Sequence, residues 1–336
     1  MTNNQNYQTL TPDTVLNAVE SIGIVCSGKL QILNSFENRV YLIGVENEAD
    51  LIVKFYRPER WSDQQILEEH AFCHELAAAE LPIVAPIKRA EQTLFKTTVC
   101  IDDITDEFRF AIFAKKGGRA PDLESLDTLE QLGTFLGRIH LVGQTDSFKN
   151  RPELNIQTYG NDARAFLLAS DFIPADLRVA YETLTDDLLV NIQHCYQRAG
   201  SLKLIRSHAD FHPGNILWTD DGPHIVDLDD CRTAPACQDL WMLLSGDRNS
   251  MTIQLDALLS GYTQFCDFDP QQLNLIEALR TLRLIHYYGW LAKRWEDPAF
   301  KIAFPWFNTQ RCWEEHILHL REQAANLQEP ALQWYG

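Results

Sequence analysis

The sequence predicts an α+β fold in two lobes, a small β-rich one over residues 1–114 and a larger, mainly helical one over 115–336. Three observations carry this. The 336 residues are more than twice a typical domain of roughly 100–150 residues, which favours two lobes over one. The β-type runs all fall before residue 114, and 3.6-residue periodicity dominates after it. A dense polar, strand-poor segment over 205–230 interrupts the helical text.

Residues 11–22 open with Thr11-Pro12-Asp13 and carry Val15, Leu16 and Val19 at helical spacing, the pattern of a capped amphipathic helix. Runs at 40–43 and 51–56 flank a polar turn at 46–50 and read as a hairpin. Ser62-Asp63 caps a helix over 64–79 whose inner face is Ile66, His70, Cys73 and Leu76. Further strands are expected at 97–101 and 108–113. Lys115-Lys116-Gly117-Gly118 then lets the chain turn and marks the lobe boundary, the lysines reading as a solvated hinge pair. Helices are expected at 126–140, 163–168, 177–198, 253–266, 270–295 and 313–327, and no internal repeat is present. Trp218, Trp241, Trp290, Trp295, Trp306 and Trp313 recur in apolar helical text and read as packing aromatics.

Composition narrows the function. With 45% hydrophobic and 23% charged residues the chain matches ordinary globular proteins. A formal net charge of -18 repels polyanions, so neither nucleic acid nor an anionic membrane surface is an expected partner. The polar start lacks a secretory pattern, and no apolar run approaches the ~20 residues of a membrane span. Eight scattered cysteines form no CxxC pair and read as reduced thiols of a cytoplasmic protein.

The chemistry concentrates in His208-Ala209-Asp210-Phe211-His212-Pro213-Gly214-Asn215, followed by Val226-Asp227-Leu228-Asp229. Asn215 follows Asp210 by five positions, with a second acidic segment soon after, and this spacing matches catalytic and metal-binding loops of phosphoryl-transfer enzymes. Such transfer needs a carboxylate near the attacking hydroxyl, oxygen ligands for magnesium, and cations near the phosphates. Asp210 suits the first role, Asn215 and Asp227 the second. Lys54 lies inside the apolar run 51–56, where an ammonium is costly to bury without a partner. Glu69 on the following helix answers that need, with Glu68 the alternative because helix phase read from one sequence is loose. No G-x-G-x-x-G run precedes Lys54. In its place stands the segment 33–41, whose backbone N–H groups and Ser35 hydroxyl either contact phosphate or form a plain polar turn. Arg57, Arg60 and Trp61 either bind a ligand or serve packing.

Together, Lys54, the His208–Asn215 motif and Val226-Asp227-Leu228-Asp229 resemble the aminoglycoside-phosphotransferase and choline-kinase group of the protein-kinase-like fold. Within it, Leu33–Tyr41, Val53–Trp61, Gln65–His70 and Gln238–Leu244 resemble bacterial serine/threonine protein kinases, and the likeness continues to Asp297-Pro298-Ala299-Phe300. The resemblance implies a monomeric cytoplasmic kinase that uses ATP and magnesium on protein hydroxyls during stress responses. It implies Asp210 as proton acceptor, Asn215 and Asp227 as magnesium ligands, and Ser35, Lys54 and Glu69 at the nucleotide. His208 would brace the loop and Asp239 would hold it. Ala209 stands where the wider group often has glycine.

Three alternatives draw on the same region. A kinase of small alcohols, such as aminoglycosides or choline, would need the same centre. A metal-dependent hydrolase built on His208, Asp210, His212 and Asp227 leaves Lys54, Glu69 and Asn215 without a role. A nucleotide-binding module without catalysis would not need Asp210, Asn215 and Asp227 together.

Overall fold

The computed structural model describes residue 7, residues 9–101 and residues 104–334. The polar start at 1–6, residues 8, 102 and 103, and residues 335–336 lie outside the described residues. The fold is α+β, with a five-stranded N-terminal sheet and a helical C-terminal part. The chain divides into two compact units, one of residues 1–121 with 214–229, the other of residues 122–213 with 230–336.

In the first unit, α1 (Pro12–Glu20) is followed by β1 (Cys26–Ile32), β2 (Arg39–Val45), β3 (Leu51–Phe55), α2 (Asp63–Ala78), β4 (Phe95–Ile101) and β5 (Ile104–Ala114). The strands form one antiparallel sheet in the order β1-β2-β3-β5-β4. Thr11 caps α1 as its spacing suggests. Period-two alternation on β3 sorts its side chains. Val53 and Phe55 point into a core with Val15, Val19, Ile43, Phe108 and Phe110. Lys54, paired in register with Ala111, faces the other way. Tyr56 and Ala111 pack on that other face against Ile66 of α2. The phase of α2 is fixed by a full capping box between Ser62 and Gln65, which buries Ile66, Glu69, His70, Phe72, Cys73 and Leu76. A lysine on the α2 side of β3 and a glutamate on the inner stripe of α2 therefore meet.

Strand β1 goes beyond the expected hairpin. It is an edge strand with five exposed residues and only partial burial at Cys26 and Leu30, so it lacks the alternation that announces a strand. β4 and β5 are longer than the runs at 97–101 and 108–113.

The later segment of this unit is the hairpin of β7 (Ile216–Thr219) and β8 (Gly222–Ile225), which follows β6 (Leu204–Ser207) in the chain. From sequence, all of 115–336 is expected in one lobe. The hairpin instead groups with residues 1–121, because Val84 N donates to Ile225 O at 2.9 Å, Ile225 N to Pro82 O at 2.8 Å and Trp218 N to Arg119 O at 2.7 Å. Gly118, with φ +154°, allows this approach, since a Cβ there would lie 2.5 Å from the Leu217 carbonyl carbon. The segment 205–230, expected to be strand-poor, thus holds the β7–β8 hairpin and most of β6, whose partner strand follows at 232–235.

In the second unit, α3 (Leu126–Gly143), α4 (Asp162–Ala169) and α5 (Ala175–Ala199) precede β6, which pairs antiparallel with β9 (Arg232–Pro235). The rest is α6 (Cys237–Trp241), α7 (Arg248–Tyr262), α8 (Ile276–Lys293), α9 (Pro298–Ala303) and α10 (Gln310–Asn326). α3 and α7 cross closely because glycines stand at the contact. A Cβ on Gly133 would fall 1.9 Å from Leu258 O, and one on Gly261 1.9 Å from Glu130 O. The single helix expected over 270–295 is two elements, a 3-10 turn Pro270–Leu275 and then α8; Asp269 caps the turn and Pro270 begins it. A π-helical turn, Gln157–Asn161, leads into α4. Trp313 is fully buried and Trp241 nearly so, but Trp306 is 44% exposed and does not belong to a core. All eight cysteines are free thiols. Among the described residues no helix is long and apolar enough to cross a membrane.

Candidate active site

The site residues read from the sequence fall into two groups, one in each unit. In the first, the Lys54 ammonium is buried among carboxylates: Asp227 Oδ1 at 2.9 Å, Asp229 Oδ1 at 3.0 Å and Glu69 Oε1 at 3.7 Å. Burial alone would weaken the protonated form; Asp227, Asp229 and Glu69 together outweigh it and raise the Lys54 pKa well above that of a free lysine. Lys54 is therefore charged throughout the physiological range. Of the two candidate glutamates, Glu69 reaches Lys54 and is buried, whereas Glu68 sits half-buried one position off the inner stripe.

Asn215 and Asp227 stand together at the open end of the β7–β8 hairpin. Ile216 pairs with Ile225, and the ladder continues through Val226 N to Asn215 O at 3.0 Å. Asp227 follows in a left-handed conformation, φ +60°, which is costly for any residue with a Cβ and is concentrated at functional positions. Its side chain is 53% exposed. Two oxygen donors, one of them an accessible carboxylate, suit a hard divalent cation that takes few protein ligands.

The segment 33–39 is a closed turn. The Ser35 hydroxyl donates to Asn38 O at 3.1 Å, and Asn38 Oδ1 accepts from Arg57 N at 3.0 Å. The Arg57 guanidinium donates to Glu37 O at 2.8 Å and Phe36 O at 3.2 Å. Ser35 thus shapes the turn with its own hydroxyl.

In the second unit, Asp210 is flanked by Arg283, whose Nη1 lies 2.7 Å from Oδ1, and by His212, whose Nε2 lies 3.5 Å from Oδ2. Burial pushes the Asp210 carboxyl up, but His212 and Arg283 outweigh it and hold it below the usual carboxylate range. The group is an ionised, weakly basic carboxylate, suited to orienting a hydroxyl and accepting its proton late.

The backbone before Asp210 is held by Asp239, which is fully buried on α6. Its Oδ1 accepts from Ala209 N at 2.7 Å, and its Oδ2 from His208 N at 3.0 Å and His140 Nε2 at 2.9 Å. Gln238 Nε2 donates to Ala209 O at 2.9 Å, and His208 Nδ1 accepts from Asp210 N at 3.3 Å.

Ala209 sits at φ +64°. Left-handed backbone costs an alanine roughly 1–2 kcal/mol. Changing it to glycine removes that strain, loses a buried methyl of about 0.8 kcal/mol and frees the unfolded chain by ~0.4–1 kcal/mol. Ala209→Gly is therefore expected to leave stability within ~1 kcal/mol of the parent, while Ala209→Val, a β-branched residue at positive φ, loses more than ~2 kcal/mol. Urea unfolding of the two variants checks this; equal losses would show that backbone strain is not what limits position 209.

Several residues here had no signal in the sequence. Arg283 lies on α8, far along the chain from Asp210, and read only as a charge on a helix. Asp229, 4% exposed between Lys54 and Arg60, stood in the quoted motif without a role. His140, on α3, reads as one more helix residue.

Comparison with known proteins matches this architecture. The chain is 41% identical over 327 residues to stress response kinase A of Escherichia coli strain K12, covering 97% of this chain and 96% of the relative. It is 40% identical, with the same coverage, to the serine/threonine protein kinase RdoA of Salmonella typhimurium strain LT2. Amicoumacin kinase hAmiN, solved in complex with AMP-PNP, Ca2+ and Ami, superimposes with a TM-score of 0.70 at 18% identity, covering 96% of this chain and 95% of that one. The family model described as "Phosphotransferase enzyme family" matches residues 29–276, and the chain belongs to that family of kinases.

Proposed function

We propose that this enzyme transfers the terminal phosphoryl group of ATP, with magnesium, to serine or threonine hydroxyls of a protein. The observation that carries the nucleotide half is the buried Lys54 ammonium held against Asp227, beside Asn215. The protein acceptor is supported by near full-length identity to relatives named as stress response and serine/threonine protein kinases. The cytoplasmic, monomeric stress-response setting belongs to the same proposal.

In this reading Lys54 binds the α- and β-phosphates, Glu69 keeps it oriented, and the Ser35 turn presents backbone N–H groups to phosphate. Asn215 and Asp227 hold magnesium, which supplies neutralisation of phosphate charge when bound. The need for that charge follows from the cluster itself. Lys54, Arg57 and Arg60 stand with the four carboxylates Glu37, Glu69, Asp227 and Asp229, so a polyphosphate meets a net negative site unless a divalent cation accompanies it. Asp210 orients the acceptor hydroxyl and takes its proton, while the chain contributes positioning and electrostatics more than covalent chemistry. Among the described residues no group of three or more His, Cys, Asp or Glu side chains is disposed to share a metal ion.

The test is transfer of labelled γ-phosphate from ATP and magnesium to a mixed protein substrate and to a panel of small alcohols including aminoglycosides and choline. Label on protein serine or threonine, lost by at least ~100-fold in Asp210→Ala, is the expected result. Label confined to a small alcohol would move the acceptor to the alternative reading, and full activity in Asp210→Ala would overturn the role of Asp210.

A further inference from the structure

The segment Arg57-Pro58-Glu59-Arg60 leaves β3 in a tight turn. Arg60 N donates to Arg57 O at 3.4 Å, and Glu59 adopts φ +64°. This turn brings two guanidinium groups to one acid. Arg57 Nε lies 3.0 Å from Glu37 Oε1, and Arg60 Nε lies 3.8 Å from the same oxygen. Glu37 is part of the Ser35–Arg39 turn, which Arg57 also holds through the Phe36 and Glu37 carbonyls.

Arg60 has a second partner. Its Nη1 is hydrogen-bonded to Asp229 Oδ2, and the other oxygen of Asp229 is 3.0 Å from Lys54 Nζ. Asp229 is thereby shared between two cations, with a side chain only 4% exposed. It is also closer to Lys54 than Glu69 is, at 3.0 Å against 3.7 Å. Every member of the chain Glu37, Arg60, Asp229, Lys54 is largely buried, where ion pairs are screened least and geometry is held most firmly.

We infer that Arg60 is a positioning residue that ties the Ser35 turn to Lys54 through Glu37 and Asp229, setting the phosphate-binding groups in one arrangement before a nucleoside polyphosphate arrives. The inference rests on the nucleotide reading above and adds a role for Arg60 and Asp229. Arg60 itself touches no phosphate in this account. Its work is to stop Asp229 from turning away from Lys54 and to fix the distance between the turn and the ammonium. Without it, Lys54 keeps Asp227 and Glu69 as partners, Asp229 is free to turn away, and the turn, still held by Arg57, loses its link to the ammonium. The loss falls on groups that meet phosphate and spares those that meet a nucleoside.

The experiment is calorimetric titration of the full chain with ATP and ADP in the presence of magnesium, and with adenosine. Arg60→Met is expected to weaken ATP and ADP by about ten-fold, the size of one charge-assisted contact, while adenosine stays within about two-fold. Arg60→Lys should recover most of the loss. Should Arg60→Met fail to fold, Glu37→Gln decides instead, since it leaves the Asp229 pairs intact and is expected to weaken ATP by about three-fold with adenosine unchanged. ATP affinity unaltered in the variant that folds, or an equal loss for adenosine and ATP, overturns the positioning role. A wild-type chain that binds adenosine but not ATP with magnesium overturns the nucleotide reading and this inference together. Normal wild-type binding with an unaffected variant overturns this inference alone.

Discussion

Asp239→Asn is expected to lower turnover by about 100-fold and to destabilise the second unit by ~3–5 kcal/mol, although Asp239 touches no reacting group. Its carboxylate accepts three hydrogen bonds in a site with no exposure: Ala209 N, His208 N and His140 Nε2. An amide keeps one oxygen, and its NH2 group must then face an N–H donor. With its oxygen kept on His208 N and His140 Nε2, the amide turns its NH2 toward Ala209 N, so that buried donor loses its acceptor and faces another donor, a loss of roughly 1–3 kcal/mol, more when the missing partner is charged. The kinetic effect has a separate cause. Ala209 is held at φ +64° by Asp239 Oδ1 on its N–H and Gln238 on its carbonyl. Releasing one of those holds lets the residue relax toward an ordinary conformation and moves Asp210, and a displacement of ~1 Å at a catalytic group costs about 100-fold. Chemical denaturation together with turnover, measured at a temperature where the variant remains folded, separates the two effects. A variant that is destabilised yet turns over normally would show that the loop holds its shape without Asp239.

The fold and the candidate site were legible in the sequence where the signal was local. Lys54 announced itself as a charge inside an apolar run. Asp210 and Asn215 announced themselves by their separation of five along the chain, and Asp227 by the acidic segment that follows, across the β7–β8 hairpin from Asn215. The choice of Glu69 over Glu68 depended on helix phase, and the Ser62–Gln65 capping box that fixes that phase was half visible as Ser62-Asp63. What was not legible is tertiary. Arg283 finds Asp210 and His140 finds Asp239 only through packing of distant helices, and no spacing rule connects such residues. Arg60 and Asp229 were both in view, but nothing in the linear text pairs them. Edge strand β1 escaped notice because its side chains are mostly exposed, so no buried face imposes alternation. The grouping of 214–229 with residues 1–121 is set by backbone hydrogen bonds to Pro82, Val84 and Arg119, which leave no mark on side-chain pattern.

His316→Phe is expected to stabilise the protein, and more at pH 5 than at pH 7. His316 is completely buried on α10, stacked on Tyr288 with ring centroids 3.5 Å apart and flanked by Tyr181 and Trp313. Neither ring nitrogen has a hydrogen-bond partner among the described residues. Burial, with a smaller contribution from His319, lowers its pKa from 6.5 to about 3. The folded state therefore binds no proton on this ring between about pH 6.5 and pH 3, whereas the unfolded chain does, so stability falls as the pH drops through that window. At pH 5 the difference amounts to about 2 kcal/mol for this one ring. Phenylalanine removes that proton linkage and also the buried polar nitrogens, whose lost hydrogen bonds cost ~1–3 kcal/mol at any pH. Stability of the parent and the variant, followed by urea unfolding from pH 5 to pH 7.5, should show a gain at pH 7 and a slope against pH shallower by nearly one proton below pH 6. Parallel pH profiles would mean that His316 is protonated in the folded protein, and a net loss at pH 7 would mean that the aromatic cluster has no room for the larger ring.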